Sequence, residues 1–463
     1  EEWFGVSESE ASATEFHLSF GQLDHKETQA WVMDSNANWV PKKEGIDYTV
    51  DRGTGTIKFL TPPGQRPLEG EDNVKIRAYR TVEGYADRVR KCTVGALFGV
   101  GGAGDRLFLS GNPDYPNWDF YSEQFDPTYF PDIGYSVMGS AASAIVGYAI
   151  INNYLAAFKD EYDESQSVFI REGDMVVNND TGVSEPAFKL INTLQGNGVV
   201  APYSFGYLTT EPLFLTRSGV YAITVQDITG EKYSQNRSFY LDGQLTKEDH
   251  LENAVAVVYQ DQYVLAVNGS LYILDGLQPI RTDKSMPYST RQYAGFYCTN
   301  VPAICLWTDD QALWFGTNDG KACRFATDIE SLDSYNDDGE PIYACWETPD
   351  LDGNLFYKNK TFRYFAVRLM SAIKTSVKMF SQRLGEWTFI KETTAISKIF
   401  DFNDIDFTLF TFRSDSSEKV AHAKVRVKKV DKARFRVENG NLNEPFGLFD
   451  LALEYIESGN YKR

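Results

Sequence analysis

A strand-turn-strand signature recurs about every fifty residues along the middle of this chain, a spacing at the upper end of four-stranded blade periods. The clearest copy is Tyr263 to Leu274, where Asn268-Gly269 separates two apolar, β-rich runs. Such a pair tolerates the positive φ of a tight hairpin turn and is the strongest short-range hairpin signal. Leu213 to Ile223 repeats the pattern around Ser218-Gly219, and Leu313 to Phe325 repeats it around Asp319-Gly320. Weaker copies turn at Gly111-Asn112 after Arg106 to Ser110, and through Asp160 to Gln166 between Tyr154 and Ile170. One unit alone exposes two apolar faces and unpaired edges, so the copies are stable only when neighbours cover them. The spacing predicts an all-β chain built around a β-propeller.

Composition supports the class. Aromatic residues make up 14% of the 463 residues, with 27 Tyr and 31 Phe, and β-branched residues dominate the apolar runs while helical periodicity is scarce. The length accommodates two to four domains. The net charge of −20 excludes capture of nucleic acid by a generally basic surface; it suits solubility, or a passage through which DNA slides without sticking. Five scattered cysteines with no CxxC pair argue against a disulfide framework and for reduced thiols folding in a cytoplasm. No charged leader opens the chain and it does not start with Met, so residue 1 is expected to follow a further segment. The uncharged run Met138 to Phe158 carries polar interruptions and acidic flanks; two buried strands joined by a polar turn explain it better than a membrane span.

Residues 1–13 read as a connector or the end of a further blade. Residues 14–82 hold five or more short alternating strands, including Phe16 to Phe20, Ala30 to Met33, Asp47 to Asp51, Gly55 to Phe59 and Asn73 to Tyr79, which predicts an inserted immunoglobulin-like sandwich. Residues 83–330 are the propeller, with one helix start expected at Thr246, where Asp249 follows in a capping-box-like arrangement. Residues 331–463 lose the rhythm but keep strands, among them Phe407 to Phe412 and Leu448 to Ile456, predicting a C-terminal β-sandwich or closing blades.

Reactive chemistry finds little purchase. Gly99, Gly101 and Gly104 match GxGxxG, but they lead into a strand, so no helix N-terminus is offered to a phosphate. None of the four histidines has a ligand spacing. Asp350, Asp352 and Asn354 imitate the start of a calcium loop whose later positions, Leu355 and Thr361, are wrong, and Asp401, Asp404 and Asp406 are misspaced. There is no GxSxG elbow. A propeller glycosidase would need two carboxylates across a pocket, and the sequence locates no such pair. The expectation is no enzyme, no cofactor and no metal.

The unusual charge feature is basic. Lys424, Arg426 and Lys428 alternate with Val425 and Val427 and so share one strand face, with Arg434 and Arg436 close behind. These five are the candidate contacts for a neighbouring subunit or DNA phosphates, beside the plain reading of a solvated sheet face. Trp118, Tyr121 and Trp387 are the candidate aromatic platforms for a glycan.

Six segments carry a resemblance: Asp105 to Pro131 (DRLFLSGNPDYPNWDFYSEQFDPTYFP), Glu211 to Ile223, Asn236 to Asp242 (NRSFYLD), Leu251 to Tyr259, Ser334 to Leu351 and Phe435 to Tyr455. In this order they resemble a structural family of tailed bacteriophages and prophages often labelled stabilisation protein, and more distantly the tail hub or packaged-DNA stabilisation protein of short-tailed phages. The resemblance runs from about Glu83 onward; the N-terminal sandwich is not shared with the short-tailed hub. It implies a virion component at the neck or tail, assembled in the bacterial cytoplasm as a homo-oligomeric ring. The ring would join portal or adaptor to tail, with packaged DNA in its lumen and no membrane partner. It transfers no catalytic residues. The alternatives are a tail-tip or baseplate protein that binds host-surface glycans, and a propeller glycoside hydrolase.

Overall fold

The structure is a computed structural model that describes residues 1–160, 166–177, 184–224, 227–230, 233, 235–280, 292–309, 311–328, 331, 334–370, 374–396 and 418–460. The chain is nearly all strand, 52% against 5% helix, arranged in many small antiparallel sheets. It divides into two compact units, one spanning 1–306 with 317–319 and the other 307–316 with 320–463.

The first unit begins with two facing sheets. One orders strands Glu2–Phe4, Val74–Arg77, Gln29–Met33 and Trp39–Lys42; the other orders Glu15–His17, Thr56–Phe59 and Tyr48–Asp51. Alternation along these strands turns Phe16, Ala30, Val32, Tyr48, Ile57, Val74 and Ile76 into one core. Residues 1–13, read from the sequence as a connector, supply the strand Glu2–Phe4, which pairs with Val74–Arg77.

Four meanders of four strands follow. The first comprises Val94–Phe98, Arg106–Ser110, Trp118–Tyr121 and Tyr135–Val137; the second Ile145–Ile151, Tyr154–Lys159, Val168–Val177 and Ser184–Leu194. The third comprises Gly206–Leu208, Glu211–Thr216, Gly219–Ala222 and Gln235–Asn236; the fourth Val255–Tyr259, Gln262–Val267, Ser270–Ile280 and Gln292–Cys298. In each, strands pair in chain order. The period of two explains how they stack. On Tyr154–Lys159, Leu155 and Ala157 join a core shared with Phe98 and Phe108 of the first meander, while Ala156 and Phe158 face Phe214 of the third. Likewise Leu213 and Leu215 meet Tyr263 and Leu265 of the fourth meander. The second and third sheets are thus each buried on the face toward the neighbour before and on the face toward the neighbour after. Strands Cys305–Thr308, Leu313–Gly316 and Ala322–Arg324 make a further sheet of three.

The turns behave as the residues demand. Asn268 and Gly269 both take positive φ, 50° and 78°, closing Val267 onto Ser270 in the geometry that matches sheet twist. The apolar run Met138 to Phe158 resolves into two paired strands around Asn152-Asn153. No helix among the described residues is long and apolar enough to cross a membrane. The helix expected from Thr246 is displaced. A single turn, Asp242–Leu245, ends at Thr246, His250 enters the left-handed region at φ 56°, and Val255–Tyr259 is a strand. Its β-branched valines, paired against Gln262–Val267, outweigh the capping signal.

The second unit ends in two sheets of long strands. One orders Ala344–Glu347, Arg434–Asn439, Lys374–Arg383 and Glu386–Ile396; the other orders Lys419–Val430, Lys358–Leu369 and Leu448–Asn460. Phe362, Phe365, Val377, Met379, Val425, Val427, Phe435 and Val437 form the core between them. The strand expected at Phe407 to Phe412 and the aspartates 401, 404 and 406 lie outside the described residues.

Candidate interaction surface

The second unit separates the five candidate cations into two groups. Lys424, Arg426 and Lys428 lie on Lys419–Val430 with exposed side chains, while Val425 and Val427 between them and Ala423 just before them are buried. This is the alternation a half-buried strand imposes. Across the sheet Lys424 stands opposite Tyr364, and Tyr364 opposite Glu454, so one outer face runs from cation to acid over three strands. No ion pair engages Lys424, Arg426 or Lys428 among the described residues.

Arg434 and Arg436 belong to the other sheet and are already engaged. The Arg434 Nη2 group donates to Glu347 at 3.1 Å and its Nε to the Thr348 carbonyl at 3.2 Å. The Arg436 guanidinium lies 3.5 Å from Glu347 and 3.5 Å from Glu438. Its plane packs 4.4 Å from the Trp387 ring centre and 5.0 Å from that of Phe380. Tyr343 donates to Glu438 at 2.7 Å. Two carboxylates and two rings therefore hold one guanidinium on a sheet face, pairing cation–π attraction with charge.

Trp387 is accordingly a wall of that clamp and not an open platform. Tyr121 is also packed, its ring 5.3 Å from Phe108 and 5.0 Å from Phe188, and burial pushes its hydroxyl above the usual tyrosine range. Of the three, Trp118 alone forms a stacked pair, 4.5 Å and 7° from Tyr135. The structure does not bring Trp118 and Trp387 together within either unit.

A feature the sequence reading passes over is a cleft of about 710 Å³ at the open side of the same sandwich, beside Leu448–Asn460. Trp346, Phe362, Phe449, Leu451 and Tyr455 line it, with Asp450 and Thr348 as polar members. The strand Ala344–Glu347 is short and Leu448–Asn460 is long, so the inner residues Leu448, Leu451 and Leu453 are only partly covered. Next to Gly353 and Tyr455, the buried Oε1 of Glu457 has no hydrogen-bond partner among the described residues. The sequence signal was the alternation in LFDLALEYI; what it lacked was the length of the opposing strand.

No group of three or more His, Cys, Asp or Glu side chains is poised for a metal among the described residues. The most buried carboxylates are tied to guanidinium groups. Arg171 donates to both oxygens of Asp119 and to Ser136, and Tyr148 donates to Asp119 at 3.3 Å. Arg237 grips Glu211 with Nε at 2.9 Å and Nη2 at 2.8 Å, and Tyr293 donates to the same carboxylate at 3.3 Å. Burial drives the Asp119 carboxyl up against the pull of Arg171.

No protein-family model and no curated protein matches the chain. Among solved structures it is similar to a variant of the exo-β-1,3-galactanase of Phanerochaete chrysosporium with β-1,3-galactotriose. That match has 7% identity and a TM-score of 0.23, and covers 79% of this chain and 96% of that one. It is also similar to a glycoside hydrolase family 43 arabinoxylan arabinofuranohydrolase of Bacillus subtilis in complex with cellotetraose, at 8% identity, TM-score 0.20, and 81% and 80% coverage. The flat exclusion of an enzyme made from the sequence is corrected by this finding, because the structures found similar are glycoside hydrolases. At these scores the likeness carries no argument about a substrate or about ring closure.

Proposed function

We propose that this chain is a structural component of a tailed-bacteriophage particle, assembling as a homo-oligomeric ring at the neck or tail hub. There it joins portal or adaptor to tail around the packaged DNA. In this reading the four meanders and the three-stranded sheet are blades of a β-propeller, and the two sandwiches are the arms that reach neighbouring chains.

One observation carries the reading. The segments that resemble the phage family supply the joints of this architecture: Asp119, Glu211 and Arg237 in the meanders, and Glu347, Arg436 and Glu444 in the sandwich. Asp119 with Arg171 and Glu211 with Tyr293 tie one meander to the next, while Glu347 and Arg436 brace adjacent strands of one sheet. Residues spent on such bracing suit a part whose task is to stay rigid while packaged DNA pushes on it. The charge of −20 suits a lumen that repels DNA and lets it slide.

Electron microscopy of purified particles tests this. Density for the chain in several copies about the head-to-tail axis is the expected result. Particles that lack the polypeptide, or that carry it only at the distal tip, overturn it.

A further inference from the structure

We infer that the cleft beside Leu448–Asn460 receives a long cationic side chain from a second copy of this chain, and that Arg426, flanked by Lys424 and Lys428, supplies it. The inference rests on the homo-oligomeric reading above and names its contact.

The cleft has the chemistry for such a guest. Trp346, Phe362, Phe449 and Tyr455 give it aromatic walls, and Asp450 gives it an acid. Beside its wall the buried Glu457 Oε1 lacks a donor among the described residues. An aliphatic stem packs against leucine and ring faces while its charged end meets carboxylate and π density. The same sandwich already contains one such arrangement, in which Arg436 lies against Trp387 and Phe380 and is paired with Glu347 and Glu438. The cleft repeats those ingredients without an occupant from its own chain.

The guest is present on every copy. Lys424, Arg426 and Lys428 project from an exposed face with no ion pair among the described residues, on a protein whose excess charge is negative. Their strand and the cleft strand Leu448–Asn460 lie on opposite sides of Lys358–Leu369. A cation on one side therefore meets the cleft of another copy, and that copy offers its own cations onward. Such head-to-tail contacts are heterologous, and they make a ring when the rotation between copies closes.

The test uses two variants of the full chain, each disabled on one surface. Lys424→Glu/Arg426→Glu/Lys428→Glu loses the guest, and Phe449→Ala/Asp450→Lys loses the host. All five side chains are exposed, and thermal melts followed by circular dichroism confirm folding. The single variant Arg426→Gln repeats the first arm without reversing charge. Mass in solution is measured by light scattering and analytical ultracentrifugation. Wild-type protein is expected to form oligomers, and each variant alone is expected to associate about a hundredfold more weakly. An equimolar mixture should restore association but stop at a dimer, since only one productive pair of surfaces remains. Wild-type oligomers that persist in either variant overturn this contact and leave the ring standing. Wild-type protein that stays monomeric at its highest soluble concentration overturns both.

Discussion

The meanders and the C-terminal sandwich treat charge in opposite ways. In the meanders whole ion pairs are buried, with the Asp119, Arg171, Glu211 and Arg237 side chains all at 4% exposure or less. In the sandwich Glu347, Arg434 and Arg436 keep between 21% and 37% of their surface. Burying a pair removes two hydration shells, a loss made up only when the geometry is bidentate and the remaining lone pairs are filled. Both meander pairs are bidentate, with Tyr148 and Tyr293 donating to the carboxylates and the Ser136 hydroxyl accepting from Arg171. Asp119 and Arg171 come from different meanders, so their pairing fixes the register of one sheet on the next. The sandwich pairs gain less from each other but remain within reach of another molecule. Buried charge here specifies architecture, and exposed charge is left for contact.

The comparison breaks most easily at Arg171. Replacing it with Met leaves Asp119 unpaired in the core, where it must either hold its charge without a partner or take up a proton, and this is expected to cost about 3–5 kcal/mol of stability. The double variant Asp119→Leu/Arg171→Met removes both charges and should recover most of that loss, because an apolar pair of similar volume is often neutral or better. Urea unfolding of the three proteins measures both effects. A single variant within about 1 kcal/mol of wild type, the size of an exposed pair, would erase the distinction between the two regions.

The sandwich has one acid that behaves like those of the meanders. Glu444 accepts from Ser376 N at 2.9 Å and from Asn441 at 3.1 Å, and pairs with Lys374 at 2.9 Å. Burial pushes its carboxyl up, yet the lysine and the amide donors outweigh that and hold it at about 2, below its ordinary 4.5. The folded state thus binds this proton less tightly than the unfolded chain does. Its contribution is fully present above pH 4.5 and is lost as the pH falls toward about 2. Glu444→Gln should lower stability at neutral pH by about 1–3 kcal/mol and flatten the acid limb in that window. An unchanged acid limb would mean that other groups carry it.

Much of this was legible in the chain and some was not. The hairpin turns were readable because Asn268-Gly269 and the glycines at 219 and 320 tolerate the positive φ that they adopt there. The stripe Lys424, Arg426, Lys428 was readable because a period of two is a local property. The buried pairs were not, since Asp119 and Arg171 are 52 residues apart and meet only through stacking. The splitting of Arg434 and Arg436 from the other cations follows from the short connection at Asp431 and Lys432, which ends Lys419–Val430 and carries the chain into Arg434–Asn439 of the opposite sheet. Trp387 read as a platform because its partner, Arg436, is set by strand pairing across Lys374–Arg383.

A smaller effect is expected at that clamp. Trp387→Ala removes one face from Arg436 but leaves Phe380 and both carboxylates. A half-exposed cation–π contact is worth about 0.5–1 kcal/mol, so the melt should shift modestly. If the shift rivals that of Arg171→Met, the outer face of the sandwich is as structural as the meander interior.

The smallest effect on folding is expected at the three exposed cations, and there the comparison is sharpest. Lys424→Ala, Arg426→Ala and Lys428→Ala remove side chains that touch no ion-pair partner among the described residues, and surface changes of this kind fall within about 0.5 kcal/mol. Like charges two residues apart on one strand face also repel, so removing Arg426 relieves Lys424 and Lys428. Unfolding midpoints should therefore stay constant or rise slightly while association in solution falls. A large destabilisation would place these residues with Arg171, as parts of the fold itself. Constant stability with reduced association separates charge that builds the chain from charge that joins one chain to the next.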